Sequence, residues 1–162
     1  MGWIVSRETV NMLLQQWQKT YDIYGPVTYV DGGRYADASC VRYGVVKKVE
    51  DIAWQTESLY SAKEIVYPIV QNLAYAVGDT QVAPTTARKR DVLLLLHSCD
   101  CHAMERLDAA LQDDVQYQAM RRRCKLVLLP CIAPSDTCFC VAAGTNCYET
   151  YALYLDASGP TC

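Results

Sequence analysis

The chain has 162 residues, 51% hydrophobic and 20% charged, with a formal net charge of −3 at pH 7. That composition excludes a disordered chain and leaves room for one packed core. The slightly acidic balance supplies no basic field, so nucleic acid is not expected as a partner. No apolar run reaches the roughly 18 residues of a membrane helix, so neither is a membrane.

In chain order, Ser6 is placed to cap a helix whose apolar positions Val10, Leu13, Leu14 and Trp17 follow helical spacing. The helix fades near Tyr21, and Gly25-Pro26 reads as a breaker before a short strand over 27–30. Val41, Tyr43 and Val45 mark a second strand, and Ser61 with Glu64 forms a capping box. The box predicts a helix through Ile65, Ile69, Val70 and Leu73, shortened or kinked at Pro68, and residues 78–86 read as a loop. Nothing in residues 1–86 carries evident chemistry, and the aromatic residues there read as packing.

Residues 87–162 are better organised. Asp91–Ser98 is a continuous apolar strand of the kind buried on both faces of a parallel sheet. Asp100 is placed as the N-cap of a helix through Met104, Leu107, Ala110 and Leu111, followed by a shorter helix over 115–122. Lys125–Leu129 is a second buried strand. The expected class is therefore α/β of the mixed α+β kind: helices and short strands, then a β-α-β unit, in a single domain over 1–162. The basic clusters Arg88-Lys89-Arg90 and Arg121-Arg122-Arg123 precede the two strands and read as solvated segment ends.

The strands of such a unit end on one edge, and ligands of open α/β sheets bind at that edge. Cys99 and Cys131 follow the two strands, and Cys138-Phe139-Cys140 comes next. In an extended C-x-C, alternate side chains point to the same side, so both sulfurs would face one centre. Nine cysteines without a visible secretion signal fit a reducing compartment, where clustered thiols read sooner as a metal site than as disulfides. Cys99, Cys131, Cys138 and Cys140 are enough to wrap one soft metal centre, zinc or an iron–sulfur cluster. The spacing Cys131-x6-Cys138-x-Cys140 is neither a zinc-ribbon pair nor the bacterial ferredoxin run. Inert buried thiols and a redox-active thiol pair stay open beside a metal.

Cys101, in the first helical turn, competes with Cys99, because the helix dipole there lowers a thiol pKa. Cys124 reads as a packed thiol, and Cys40, Cys147 and Cys162 belong to no cluster. His97 and His102 are weaker ligand candidates. A Cys99–His102 dyad lacks a third orienting group, and no serine triad or phosphate-binding loop is present.

The blocks Ser98-Cys99-Asp100-x-His102-Ala103-x-x-Arg106-Leu107-Asp108 and Cys138-Phe139-Cys140-Val141-x-x-Gly144-Thr145-Asn146 resemble the A-type, electron-transferring subunits of anaerobic sulfite reductase. The related sulfhydrogenase β subunit has a similar pattern. Tyr24-Gly25-Pro26-Val27 and Ser61-x-Lys63-Glu64-x-x-x-Pro68-Ile69 extend the resemblance over most of the chain. It implies a cytoplasmic, non-catalytic electron-transfer subunit of an oxidoreductase complex, with one 4Fe-4S cluster held by Cys99, Cys131, Cys138 and Cys140. The implied partners are a flavin subunit fed by NAD and a sirohaem or hydrogenase-type catalytic subunit. Relatives usually have an apolar residue at the position of Cys101. They also continue into a ferredoxin-like domain with two further 4Fe-4S clusters, and no such run occurs here, which implies an N-terminal domain or fragment.

On this reading the amides of 142–146 would donate to the cluster, and His102 and Asp100 would couple electron transfer to a proton. The contrasting expectation is a structural zinc-binding or metal-free docking module.

Overall fold

The structure, a computed structural model, describes residues 2–33, 35, 38–68, 75–82 and 90–159. It is a mixed α/β fold built on a five-stranded mixed sheet. Helix α1 spans Arg7–Trp17, and the Ser6 hydroxyl accepts the Thr9 amide at 3.2 Å, as its capping role predicts. Strands β1 (Tyr21–Tyr29) and β2 (Cys40–Val45) follow, then a short 3-10 turn at Val49–Asp51 and helix α2 (Lys63–Val66). A hairpin of β3 (Tyr75–Val77) and β4 (Thr80–Val82) stands as a separate two-stranded sheet. Strand β5 (Asp91–Leu96), helices α3 (Ser98–Ala110) and α4 (Val115–Arg121), strand β6 (Cys124–Leu128), helix α5 (Cys140–Ala143) and strand β7 (Leu153–Tyr154) complete the order.

The sheet runs β2-β1-β5-β6-β7, so strands from before and after residue 86 share it. Only the β1–β2 pair is antiparallel; β1–β5, β5–β6 and β6–β7 are parallel. Strand β5 alternates its side chains between two apolar layers. Leu93 and Leu95 pack with Val10 and Leu14 of α1 and with Val127. Val92, Leu94 and Leu96 pack with Ile65 and Val66 of α2, Cys101 and Met104 of α3 and Tyr117 of α4. Helices on both faces explain why 92–96 is apolar without alternation. Each fully buried leucine contributes about 2 kcal/mol of transfer free energy.

Three local readings differ from the structure here, while the shortening of α2 before Pro68 is as expected. Strand β1 runs through Gly25-Pro26 instead of starting after it. Its pairing with β5 ends at Tyr24, so Pro26, which has no N–H to donate, lies in a stretch of β1 that β5 does not flank. Glycine at 25 suits this close approach, because a Cβ there would lie 3.1 Å from Val46 and 3.2 Å from Leu95 and press its neighbours aside. Residues 80–82 form β4, turned at Gly78 (φ 59°), in place of the expected loop. The capping box does not close: Ser61 Oγ accepts the Lys63 amide at 3.3 Å, and Glu64 pairs with Arg42 at 3.3 Å. Helix α2 ends at Val66, before Pro68, and the expected positions Ile69, Val70 and Leu73 lie outside the described residues.

Helix α3 also begins earlier than expected. His97 takes the N-cap position without a side-chain bond, and Asp100 sits in the first turn. In the basic clusters, Arg121 and Arg123 are ion-paired and part-buried instead of simply solvated. Arg121 pairs with Asp108 and Arg123 with Asp91, each at 3.0 Å; Arg90 lies 3.9 Å from Asp22, while Arg88 and Lys89 lie outside the described residues. No helix among the described residues is long and apolar enough to cross a membrane.

Candidate metal centre at the sheet edge

The carboxyl ends of β5 and β6 lie side by side, with Leu96 paired to Leu128. Cys99 follows β5 in the first turn of α3, and Cys131 follows β6 by three residues. Cys138 and Cys140 arrive from the next loop, which is anchored back onto α3 by a 2.9 Å bond from Ser98 Oγ to the Thr145 carbonyl. All four cysteines line one cavity of about 90 Å³. That volume exceeds what a single water needs. Trp54, Ile132 and Ala133 give it apolar walls, and Glu57, His97 and Asp100 add polar ones.

The C-x-C segment does not reach the cavity as an extended strand. Phe139 has φ −128° and ψ 15°, and Cys140 opens the single helical turn α5, which ends at Gly144 in the left-handed region (φ 66°). That turn consumes amides expected to serve the centre. Ala143 donates to Phe139 at 3.0 Å, Gly144 to Val141 at 3.2 Å and Thr145 to Cys140 at 2.8 Å. The amide aimed at a candidate sulfur is Ser135's, 3.3 Å from Cys138 Sγ, with Ser135 Oγ at 3.5 Å. The Cys138 amide donates in return to the Ser135 carbonyl at 3.0 Å, closing the turn that holds this sulfur.

Cys99 and Cys101 separate cleanly. Two residues apart on a helix is a rotation of about 200°, so their side chains leave on opposite faces. Cys101 is fully buried against Met104 and Leu96 in the core and does not line the cavity. Its thiol is pushed up to about 12, first by desolvation and then by the Asp100 carboxylate. Desolvation thus outweighs the dipole effect expected at this turn. Cys99 is pushed up to about 11, first by desolvation, then by Asp100 and Cys140. Cys131 is raised by desolvation and by Cys138 and Cys140. These thiols favour the protonated state until a cation displaces the proton, because metal ligation takes the thiolate.

His102 is not part of the cavity. Its Nε2 lies 2.8 Å from the Cys147 carbonyl oxygen, its Nδ1 lies 3.4 Å from Glu105, and its ring meets Tyr148 edge-on. This placement sets His102 apart from the cavity that Cys99 lines. His97 stands in the cavity wall instead, with Nδ1 4.0 Å from Asp100. Burial lowers the His97 pKa against the opposing pull of Asp100. Asp100 is itself raised by burial, partly countered by the 2.7 Å bond it accepts from the Tyr43 hydroxyl. Cys40 and Cys124 are buried, Cys147 is exposed, and Cys162 lies outside the described residues.

His97, only a weaker ligand candidate in the sequence, stands in the cavity wall, and one further residue of the lining escapes a reading of the sequence. Glu57 has no local signal, since it meets Cys138 across 81 positions of sequence.

A single zinc ion needs donors converging within about 2.3 Å of one point. Among the described residues, no group of three or more His, Cys, Asp or Glu side chains converges that way. No family model matches the chain, and no curated protein and no solved structure matches it either.

Proposed function

We propose that the chain is an iron–sulfur electron-transfer domain of a cytoplasmic, anaerobic sulfite reductase-like complex. Cys99, Cys131, Cys138 and Cys140 are its cluster ligands. The observation that carries the reading is the single cavity lined by these four cysteines from three separate segments, at the edge where α/β sheets bind ligands. A 4Fe-4S cluster held there supplies one-electron transfer, with no bond chemistry on a substrate. The residues around it set how readily an electron is accepted. Trp54, Ile132 and Ala133 give the lining apolar character, and the Ser135 amide donates to Cys138 Sγ, which stabilises thiolate charge.

The partners follow from the resemblance described above: a flavin subunit fed by NAD on one side, and a sirohaem or hydrogenase-type catalytic subunit on the other. The deciding experiment is iron and acid-labile sulfide per chain after purification without oxygen. About four of each are expected, with loss in Cys138→Ser or Cys140→Ser. About one zinc per chain instead supports a structural module, and a folded protein that holds neither metal after reconstitution overturns the proposal.

A further inference from the structure

The cavity wall opposite the cysteine loop belongs to the first half of the chain, where the sequence alone shows no chemistry. Residues 54–58 cross in front of the cavity as a strap tied to the sheet at both ends. Before it, the Ala53 amide donates to the Pro26 carbonyl at 2.8 Å; after it, the Leu59 amide donates to the Val41 carbonyl at 3.0 Å. Ser58 Oγ adds a bond to the Val41 carbonyl at 3.2 Å. Between these ties Glu57 projects into the cavity lining, and its Oε2 accepts from Cys138 Sγ at 3.7 Å.

We infer that Glu57 is a positioning and tuning residue of the cysteine centre, placing one fixed negative charge beside Cys138 so that the centre accepts an electron less readily. The inference rests on the proposed electron-transfer role. Its physical basis is short. The Cys138 thiol donates to Glu57, and once Cys138 ligates a metal as thiolate, that carboxylate faces sulfur charge with no proton between them. A negative charge at this range opposes an added electron. Ser135 works in the opposite direction, since its amide donates to the same sulfur. Cys138 is therefore the sulfur on which a donor and a carboxylate compete.

The test is the midpoint potential of anaerobically purified full chain, followed by dithionite titration in the presence of mediators, for wild type, Glu57→Gln and Glu57→Asp. Glutamine removes the charge and can donate N–H to the sulfur. It is expected to keep the wild-type iron content and to raise the reduction equilibrium constant about tenfold, about 59 mV for one electron. Aspartate keeps the charge on a shorter arm and is expected to fall between glutamine and wild type. Equal iron with an unmoved potential in Glu57→Gln overturns this inference and leaves the electron-transfer reading standing. No iron in any of the three proteins overturns both.

If only Glu57→Gln loses iron, the metal-free chain decides. Site-resolved alkylation of Cys138 by anionic iodoacetate, relative to neutral iodoacetamide, then reads the local charge directly. A higher ratio in Glu57→Gln supports the inference, and an unchanged ratio overturns it.

Discussion

Strand β5 and the cysteine loop from Cys131 to Thr145 meet at the same sheet edge and are held by different forces. From Val92 to Leu96 every side chain of β5 is buried, on alternating faces, beneath helices. In the loop, by contrast, Phe139 and Val141 are 74% and 78% exposed, although both are apolar. The loop keeps its course through hydrogen bonds: Ser135 to Cys138, Thr145 to Cys140 and Ser98 to Thr145. Burial makes one region the source of stability; the other contributes little to folding and is free to present sulfur. Folding and the site are therefore expected to fail separately.

The largest expected effect tests the core side of that contrast. Leu94→Ala, at a fully buried position flanked by β1 and β6, is expected to cost about 3 kcal/mol in urea unfolding. A cost below about 1 kcal/mol would erase the distinction between strand and loop. Next comes Tyr117→Phe in α4. The buried Tyr117 hydroxyl donates to Asp108, which Arg121 also grips, and losing a bond to a charged group is expected to cost about 1.5 kcal/mol. Both variants should keep the iron content of the wild type under conditions where they are folded.

Cys101 sharpens the comparison through pH. Its folded-state pKa is raised from 9.0 to about 12, so the buried neutral thiol contributes stability that is fully present below pH 9. That contribution is lost as pH rises through the folded value. In metal-free protein, Cys101→Ala is expected to lower stability at pH 7 by about 1 kcal/mol through the lost sulfur contacts. The same variant should flatten the decline of wild type between pH 9 and 12. An alkaline limb unchanged by the substitution would show that Cys101 titrates freely and is not a core residue.

The smallest stability effect, and the largest effect on the site, belongs to Cys138→Ser. In the metal-free chain it is expected to change unfolding free energy by less than about 0.5 kcal/mol, because the position is exposed. The same substitution should abolish iron binding. A large loss of stability without metal would mean that the loop supports the fold directly, and the contrast with β5 would collapse.

Much of this arrangement is legible in the residues. Helix α1 is visible from Ser6 and the spacing of Val10, Leu14 and Trp17, because capping and one-sided burial are local properties. Strands β5 and β6 are visible because continuous apolar runs of this length suit a sheet covered on both faces. Their parallel pairing, expected from the β-α-β order, places Cys99 and Cys131 on one edge. The part of strand β1 up to and through Gly25-Pro26 is not legible, because breakers are judged locally, whereas its neighbours β2 and β5 and the close packing at Gly25 override that preference. The start of α3 is misplaced in the sequence because Asp100 looks like a cap. In the fold its carboxylate is drawn instead to the Tyr43 hydroxyl of β2, 57 positions earlier in the chain.

By itself the sequence determined the class of the fold, the two buried strands and the thiols placed at their ends, since each follows from side-chain chemistry within a few residues. Tertiary structure alone decided that Cys101 turns into the core, that His102 turns toward Cys147, and that His97 and Glu57 join the cysteine cavity. Those outcomes depend on helix phase and on contacts between distant segments, and neither is written in any local pattern of residues.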